Sequence, residues 1–504
     1  MAYQVRFPRI RPQDAGSQQS STVAKSHQVT KRNAMHPEAA VLTRACRHAI
    51  EYVEGLNSRP VATTTSLAEL RRRLNVELGA SGTPAETVID DLVVATAGGQ
   101  LGSASGRFFA WVIGGALPSA LAADWLASTW DVNATMYACG PAAAVTEEIA
   151  GEWVKDVLDL PRDASFAFTT GCQLAHVTCL AAARHAVLAR VGWDVERDGL
   201  IGAPAIRVLA TEQRHGSIER ALRLLGLGTR SLTPLATGDD GCLAANALAD
   251  ALAAGDGPTI VILDAGDLNV GACDPFGELI PIARTASAWV HVDGAFGLWA
   301  RASREHRHLV EGVELADSWA TDAHKWLNTP QDNGIAIVRD RTAHRAAMTL
   351  TAHYLVPGGD ARDAIDWTPD WTRRARGYAV YAALRELGRD GLAAMIDGCC
   401  RHAVALARGI SALDGAELVA MPSMNQGLVR FPDPHGRSDA DHDRYTDAVI
   451  AAINAEGTAF FSGTLWRGRR AMRISVVNWR TSDADVRMTV QAVGRVLAQM
   501  NPAI

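Results

Sequence analysis

The sequence predicts an α/β protein whose central sheet is mainly parallel and covered by helices on both faces. Short runs rich in β-branched residues alternate with stretches of helical periodicity through the middle of the chain. Apolar residues fill these runs almost continuously, which is typical of strands buried on both faces. The predicted strands are AIRVLATE (205–212), TIVILDAG (259–266), AWVHVDGA (288–295), DSWATDAH (317–324) and GIAIVRD (334–340).

The chain divides into four predicted parts. Residues 1–35 are polar and rich in Gln and Ser, which indicates a disordered tail. Residues 36–114 carry apolar residues at helical spacing and form an N-terminal helical segment. Residues 115–386 hold the alternating pattern and form the large cofactor-binding α/β domain. From 387 to 504 the pattern changes to helices and shorter strands, which predicts a smaller C-terminal α+β domain.

Composition argues against several classes of partner. The chain has 504 residues, 48% apolar and 21% charged, and a net charge of −6, so it offers no electrostatic footprint for nucleic acid or an acidic membrane surface. Its longest charge-free apolar run, 108–123, is shorter than the ~20 residues of a membrane helix. The N-terminus lacks the apolar region of a secretory signal. Eight cysteines without C-x-x-C spacing argue against a zinc site and a disulfide framework, so we expect no metal and a cytoplasmic location.

Four features could form a ligand site, and three of them, Asp293, His215 and Lys325, lie at or just beyond predicted strand ends, where ligands bind in open α/β sheets. Gly171 lies in a Thr/Gly turn before a long helix, which can hold a phosphate but is also an ordinary turn. Asp293 ends a strand and could equally cap a helix. His215 could be a turn or capping residue, and Lys325 in DAHKWLNTP could extend to solvent.

Together the four features fit one cofactor, pyridoxal 5'-phosphate. This cofactor needs an anion cradle, an acid beside its ring nitrogen, a flat group against its ring and a lysine that holds its aldehyde as an imine. A lysine that is moved out of water has its charged form disfavoured, so such a residue usually has a partner or a chemical role. The sequence therefore predicts a pyridoxal phosphate site at the strand ends.

From about residue 100 to the C-terminus, the chain resembles the group II pyridoxal-phosphate-dependent amino-acid decarboxylases, relatives of the aromatic-L-amino-acid and glutamate decarboxylases. The resemblance rests, in order, on RFFAWVIGGALPSALAADW, TTGCQLAH, EQRHGSIERA, HVDGAFG, DSWATDAHKWLN and AMRISVVNW. It implies the aspartate-aminotransferase-like fold, known as fold type I. It also implies a small-molecule amino-acid substrate and a homodimer with the active site at the subunit interface.

The resemblance implies a role for each matching residue. Lys325 resembles the Schiff-base lysine, with His324 beside it near the phosphate. Asp293 resembles the partner of the pyridine nitrogen, Ala295 would pack under the ring, and His215 would stack on its other face. Further cofactor contacts are expected from Gly171, Cys172, Gln173 and Asp322. The expected substrate pocket consists of Trp111, Val112, Ile113, Asn133, Thr135 and Arg473, where the arginine would bind a carboxylate or form a structural ion pair.

Some positions depart from the family pattern. Gln173 replaces a Ser or Thr that many relatives carry in the phosphate turn, and His176 stands where an Asn often follows, which predicts weaker cofactor retention. Asp264, Asp267 and Val270 replace residues that are often Gln, Asn and Thr. Added acid near a phosphate dianion would repel it unless the acid is protonated or turned away.

The predicted reaction is decarboxylation of an L-amino acid, with an aromatic one favoured, to the corresponding amine. Leu355–Thr372 is long enough to be an active-site lid, or is plain surface. A lid tyrosine of animal and plant relatives has no tyrosine counterpart here, and its place falls near Ala364, with Trp367 close by. Related enzymes without that tyrosine can release an aldehyde oxidatively, so this reaction is an alternative. A non-catalytic relative is a further alternative.

Overall fold

The computed structural model describes residues 36–350 and 361–500. The predicted tail 1–35 and the part of the predicted lid from 355 to 360 lie outside the described residues. The helices are α1 (Pro37–Glu54), α2 (Leu67–Leu74), α3 (Ala85–Thr96), α4 (Pro118–Trp130), α5 (Pro141–Val157), α6 (Cys172–Ala189), α7 (Val195–Asp198), α8 (Gly216–Leu224), α9 (Ala245–Ala253), α10 (Phe276–Thr285), α11 (Arg341–Met348), α12 (Gly377–Ser411), α13 (Asp439–Glu456) and α14 (Asp483–Met500). The strands are β1 (Ser165–Thr169), β2 (Arg207–Thr211), β3 (Leu232–Leu235), β4 (Thr259–Asp264), β5 (Trp289–Asp293), β6 (Ser318–Asp322), β7 (Gly334–Val338), β8 (Glu417–Ala420), β9 (Gln426–Arg430), β10 (Ser462–Trp466) and β11 (Arg469–Ser475).

The central sheet has seven strands in the order β1-β7-β6-β5-β4-β2-β3. Strands β2 to β6 pair in parallel, and β7 is antiparallel to both of its neighbours, β1 and β6. The prediction of a mainly parallel sheet is confirmed, and each of the five predicted strands contains an observed one. The register sets Asp264 opposite Asp293, and Asp293 opposite Ala320, so the carboxyl ends of β4, β5 and β6 meet at one edge.

Helices cover both faces of this sheet, and its central strands are therefore buried on both sides. One hydrophobic cluster joins α6 and α8 to one face, with Leu180 and Ile218 among its fully buried members. A larger cluster joins α9, α10 and α12 to the opposite face, with Leu248, Leu279 and Ile396 fully buried. This two-sided burial fixes the strand ends on which the site residues stand.

The C-terminal part contains a separate antiparallel sheet in the order β10-β11-β9-β8, with α13 and α14 beside it. The long helix α12 leads into this part and bends at Gly388, which has φ 60° and ψ −174°. The predicted boundary between residues 386 and 387 lies next to this bend. The four domain limits remain predictions.

The N-terminal helices α1, α2 and α3 pack against one another. Arg44 on α1 reaches Asp90 on α3 with an Nε–Oδ1 distance of 2.6 Å, and the Ser66 hydroxyl caps α2 by accepting from the Glu69 N–H. In the part of the chain that the structure describes, no helix combines the length and the apolar character that crossing a membrane requires.

Candidate active site

Lys325 lies in the turn that follows β6, and its amine has an acidic partner. The Nζ atom is 3.1 Å from Oδ2 of Asp322, the last residue of the strand. Burial disfavours the charged amine, but Asp322 and the nearby Asp293 outweigh burial and raise the pKa of Lys325 above its ordinary value. The amine is therefore held as an ammonium ion at the edge of the sheet.

Asp293 ends β5 and is almost fully buried. Its Oδ1 accepts from the Ala295 N–H at 3.2 Å, and its Oδ2 is 3.4 Å from Nε2 of His176 on α6. Burial alone would raise the pKa of Asp293, but the contact with His176 and the charge of Lys325 lower it below the ordinary value. The result is a buried carboxylate that stays ionised.

His215 is the N-cap of α8 and also lines the cavity that contains Lys325. Its Nδ1 accepts from the Ser217 N–H at 3.2 Å, so in the neutral ring the proton is on Nε2. Desolvation lowers the pKa of His215, with help from Lys325 and against the effect of Asp293. His215 therefore caps a helix and lines the cavity at the same time, so both interpretations of this residue apply.

The turn before α6 is tied to the Lys325 segment. The Cys172 N–H donates to Oδ1 of Asp322 at 2.6 Å, and Gly171 lies beside the His324 ring, since a Cβ on Gly171 would be 3.5 Å from His324 Cε1. The Gln173 side chain points to α8, where its Nε2 donates to the Ser217 backbone oxygen at 3.2 Å. An uncapped helix N-terminus, His324 and Lys325 are thereby brought to the same region.

A cavity of about 150 Å³ brings together seven of the fifteen predicted site residues. Four of them are the polar residues Lys325, Asp293, His215 and Arg473, and the other three are Trp111, Val112 and Ala295. Gly171, Cys172, Gln173, Asp322 and His324 do not line it. The remaining lining residues are Gln213, Asp264, Gly266, Asp267, Leu268 and Phe296.

The segment that carries Trp111 and Val112 has an unusual backbone. Both residues have positive φ, 54° and 58°, in the region that favours glycine. Trp111 is 50% exposed and contacts the Phe460 ring at 5.5 Å between centroids. Gly114 follows at a close approach, since a Cβ there would lie 2.3 Å from the Lys325 backbone oxygen. This packing holds the loop directly against the lysine turn.

The two unexpected acids next to the cavity are accommodated in different ways. Asp267 is turned into its own loop, where its carboxylate accepts from the N–H groups of Asn269, Val270 and Ala272. Burial, together with the neighbouring Asp274 and Asp293, raises the pKa of Asp264 well above its ordinary value, which disfavours the charged form of its carboxyl. Thr211 Oγ1 lies 2.7 Å from its Oδ2. The cavity therefore carries less negative charge than the sequence suggests.

Arg473 on β11 is a second cation at the cavity, beside Lys325. It is 6% exposed, and its Nε has no hydrogen-bond partner within the described chain. Burial lowers the pKa of Arg473 to about 10, which leaves the guanidinium charged at neutral pH. Its Nη2 makes only a long contact with Gln426 Oε1, at 3.4 Å. A buried guanidinium with a spare donor is suited to a carboxylate ligand.

Some predicted substrate residues lie elsewhere in the chain. Ile113 packs in a small apolar cluster with Phe108 and Val61. The Thr135 backbone oxygen accepts from the Ile365 N–H in the described end of the predicted lid, and Asn133 Oδ1 accepts from the N–H of Arg373, the residue just after that segment. Within one chain, these three residues do not line the cavity with Lys325.

Ala364 and Trp367 belong to that same described end of the lid and are both buried. The Trp367 ring is 5.3 Å from the His344 ring, and Arg362 stacks between Trp367 and Phe166. Neither Ala364 nor Trp367 lines the cavity within one chain.

The family profile described as the Pyridoxal-dependent decarboxylase conserved domain matches residues 68–432, a range that includes Lys325, Asp293 and His215. The chain belongs to the pyridoxal-dependent decarboxylase family. This result confirms the resemblance to group II decarboxylases, the type I fold, the pyridoxal phosphate cofactor and the class of carboxy-lyase.

Individual relatives of this decarboxylase match along most of their length. The L-2,4-diaminobutyrate decarboxylase of Rhizobium meliloti (strain 1021) is 30% identical over 389 residues, 76% of each chain. Tryptophan decarboxylase 1 of Oryza sativa subsp. japonica is 28% identical over 481 residues, 89% of this chain and 91% of the relative. A crystal structure of Oryza sativa TDC with PLP and tryptamine has a TM-score of 0.86 at 25% identity and covers 94% of this chain and all of that one. Other relatives are aldehyde synthases.

The residues of this decarboxylase fit its cofactor. Two of the four lysines of the chain, Lys155 and Lys325, lie in the described part. Lys155 is bound by the backbone oxygens of Arg162 and Ala164 at 2.6 and 2.8 Å, which leaves Lys325 as the amine beside the cavity. An amine, an ionised carboxylate and an imidazole line one cavity, and the N-terminus of α6 is bonded to the Lys325 segment through Asp322; these are the groups that pyridoxal phosphate needs.

Sequence reasoning missed four residues that line the cavity of the decarboxylase: Gln213, Gly266, Leu268 and Phe296. Gln213 precedes His215 by two positions, and Phe296 follows Ala295, so proximity to predicted residues was a usable signal. Leu268 carried no such signal, because its position depends on how Asp267 folds the loop.

Proposed function

We propose that this decarboxylase removes the α-carboxylate of an aromatic L-amino acid and releases the corresponding amine. The observation that carries the proposal is the cavity that combines Lys325 and Asp293 with a buried Arg473 and an apolar wall of Val112, Leu268 and Phe296.

The side chains divide the work of the reaction. When bound, pyridoxal phosphate supplies an acceptor for the electron pair released at Cα. Lys325 would hold the aldehyde of the cofactor, and the ionised Asp293 would keep a proton on the ring nitrogen. His215, fixed as the N-cap of α8, would lie against the cofactor, and Arg473 would bind a substrate carboxylate. The apolar wall excludes water from the reacting carbon.

The charges of the cavity support an aromatic side chain over a cationic one. A diaminobutyrate side chain would bring an ammonium group, which needs a free carboxylate. The raised pKa of Asp264 disfavours its charged form, and Asp267 is engaged by three backbone N–H groups, while Arg473 adds a positive charge. An ammonium side chain would thus meet repulsion, and an aromatic ring would meet apolar surface.

A second product has its own support. Ala364 stands where animal and plant relatives carry a lid tyrosine, and aldehyde synthases are among the relatives. Release of an aldehyde, through decarboxylation with oxidative deamination, is therefore the alternative outcome at the same cavity.

We propose that the active form is a homodimer with the active site at the interface of the subunits. Helices α1, α3 and α4 expose apolar side chains, including Leu42, Ile50, Leu92 and Trp125. A monomer rarely leaves such a group of apolar side chains in water. A second copy that covers this face would also explain why the segment of Asn133 lies apart from the Lys325 cavity of its own chain.

A cytoplasmic location is proposed as well. Its support is that all eight cysteines are free thiols, as expected in a reducing compartment. Fractionation of the source cells with an antibody against the protein tests it, and recovery with exported proteins would contradict it.

The deciding experiment is mass spectrometry of the products. Purified protein with pyridoxal phosphate is given L-tryptophan, L-tyrosine, L-phenylalanine and L-2,4-diaminobutyrate separately. We expect an aromatic amine, none from the Lys325→Arg variant, and turnover of diaminobutyrate at least tenfold slower, since a few kcal/mol of mismatch gives that ratio. An aldehyde with peroxide would establish the alternative product. Diaminopropane as the main product would refute the aromatic preference.

A further inference from the structure

A line of buried polar side chains leads from Asp293 away from the cavity and across the sheet. His176 Nε2 is 3.4 Å from Asp293 Oδ2, and His176 Nδ1 is 2.9 Å from His291 Nε2. His291 Nδ1 is 2.9 Å from Ser318 Oγ, which is also 2.9 Å from Trp289 Nε1. All five residues are buried, so bulk solvent does not reach their hydrogen bonds.

The indole at the far end sets the direction of this line. Trp289 Nε1–H can only donate, so Ser318 Oγ accepts from it and directs its own hydrogen to His291 Nδ1. The proton of His291 is then on Nε2, where it is donated to His176 Nδ1. The proton of His176 is in turn on Nε2, facing the carboxylate of Asp293. Each group in the line donates once towards the carboxylate, and both imidazoles are neutral.

A charged imidazole would break this pattern. If His176 carried two protons, His291 would have to accept at Nε2 and donate from Nδ1 to Ser318. The hydroxyl would then receive two donors, and its own hydrogen would need another acceptor in a buried site. Burial lowers the pKa of His291 to about 3, in agreement with a neutral ring.

The thiol of Cys172 is the one other group close to the donating nitrogen of His176, at 3.4 Å, among the contacts in the described chain. Burial raises the pKa of Cys172 well above its ordinary value, so the thiol is neutral. A neutral thiol is a weak acceptor, whereas a carboxylate is a strong one. The proton on His176 Nε2 is therefore directed to Asp293.

We propose that His176 is a positioning residue that holds Asp293 ionised and aimed at the cofactor, with His291, Ser318 and Trp289 fixing its tautomer. Relatives with Asn at this position have no imidazole to extend the line. The inference rests on the pyridoxal phosphate cofactor and is independent of which amino acid the enzyme uses.

The test is a double-mutant cycle read by cofactor binding without substrate. The dissociation constant of pyridoxal phosphate is measured by absorbance on apoprotein for the wild type, His176→Leu, Asp293→Asn and the double variant. We expect His176→Leu to weaken binding roughly tenfold or more, because a hydrogen bond to a charged group is lost. The double variant should bind no more weakly than Asp293→Asn, within about threefold. Wild-type affinity in His176→Leu, or additive losses, would overturn the proposal.

Two matched variants separate positioning from stability. His176→Gln keeps an N–H that can reach Asp293 and should recover most of the lost affinity. His344→Leu removes another fully buried imidazole, one held by Ser165 and the Trp367 backbone oxygen, and should lower the unfolding temperature without changing cofactor affinity. Equal loss of affinity in the Gln, Leu and His344 variants would assign the effect to general destabilisation and refute the proposal.

The tautomers can be observed directly even if His176→Leu fails to fold. In wild-type apoprotein with ¹⁵N-labelled histidine side chains, the signals of His176 and His291 are assigned by their absence from the His176→Gln and His291→Gln variants. We expect two neutral rings, each protonated on Nε2. An imidazolium, or a proton on Nδ1 of His176, would overturn the proposed line. A protein that forms no product with any amino acid would refute the proposed function and leave this result intact.

Discussion

At the residue scale, Lys325 stands out because lysine is so rare in this chain. Four lysines accompany a large number of arginines, and the amine of Lys155 is bound by two backbone oxygens. A reagent that reacts with lysine amines therefore has few other lysines to modify in this protein.

Reduction with borohydride should attach the cofactor to Lys325 and to no other described lysine. Wild-type protein with bound pyridoxal phosphate should give one labelled peptide on mass mapping, and Lys325→Arg should give none. Lys155→Arg is the matched control and should be labelled as wild type. A label that persists in Lys325→Arg would show that the lysine assignment is wrong.

Asp264 makes stability depend on pH in a predictable direction. Its pKa is raised in the folded chain by burial and by Asp274 and Asp293, so the folded state binds this proton more tightly than the unfolded state. The contribution of this proton to the free energy of unfolding is complete at pH values below the pKa of Asp264 in the unfolded chain. It is lost as the pH rises through the pKa of Asp264 in the folded chain.

Asp264→Asn should therefore equal or exceed the wild type in free energy of unfolding at pH 8, and its advantage should shrink as the pH falls. Denaturant unfolding of the apoprotein at several pH values measures this. The contrast is Asp274→Asn, since Asp274 accepts from the backbone N–H groups of Asp264 and Leu243. That variant should lose about 1–3 kcal/mol. A stability loss in Asp264→Asn that grows with pH would contradict the assignment.

At the element scale, the loop before α4 contacts the turn that carries Lys325 at one point, Gly114. Gly114 packs on the Lys325 backbone oxygen, where a Cβ would lie at 2.3 Å, and two left-handed residues precede it. The loop therefore cannot gain volume at this point without moving the lysine turn or itself.

Gly114→Ala should cost about 1–3 kcal/mol of stability, as overpacking does, and should weaken cofactor binding. Thermal unfolding and cofactor titration measure the two effects. Gly277→Ala is the control, because a Cβ added to Gly277 on α10 would have no neighbouring atom within 4 Å. Wild-type behaviour of Gly114→Ala would show that the loop moves aside freely.

The strands and their terminal residues could be predicted because strands buried on both faces produce continuous apolar runs. Lys325, Asp293 and His215 follow such runs and meet at one cavity. Strands β1 and β3 were missed: β3 is short, partly exposed and contains Pro234, whereas β1 is a fully buried run of five residues that was not identified from the sequence. The contact of His176 with His291 could not be predicted, because periodicity does not say which side of α6 meets β5.

At the scale of the whole molecule, the apolar face of α1, α3 and α4 is the feature that a monomer does not explain. A groove between α1 and α4 is lined by Leu42, Cys46, Ile50, Trp125 and Leu126. Covering it with a second copy would remove apolar area from water, which is the main favourable term in such association.

Charges placed on this face should dissociate the dimer. We expect Leu42→Glu combined with Ile50→Glu to sediment as a monomer at concentrations where the wild type is a dimer, with loss of activity. Ile201→Glu is the control: Ile201 is 96% exposed in a loop distant in sequence from these helices. A wild-type protein that sediments as a monomer at all concentrations would refute the homodimer.

The cavity is lined by residues from both the central sheet and the C-terminal sheet, which are not hydrogen-bonded to each other as one sheet. Lys325 and Asp293 belong to the edge of the central sheet, whereas Arg473 stands on β11 of the C-terminal sheet, whose Thr464 also bonds to Asn269 in the Asp267 loop. Local opening of the smaller sheet would thus remove the substrate's anchor while the cofactor's anchor remained in place. In rising denaturant, the Michaelis constant should increase before the visible absorbance of the bound cofactor is lost. A partly unfolded enzyme would therefore lose substrate binding first and cofactor binding only later.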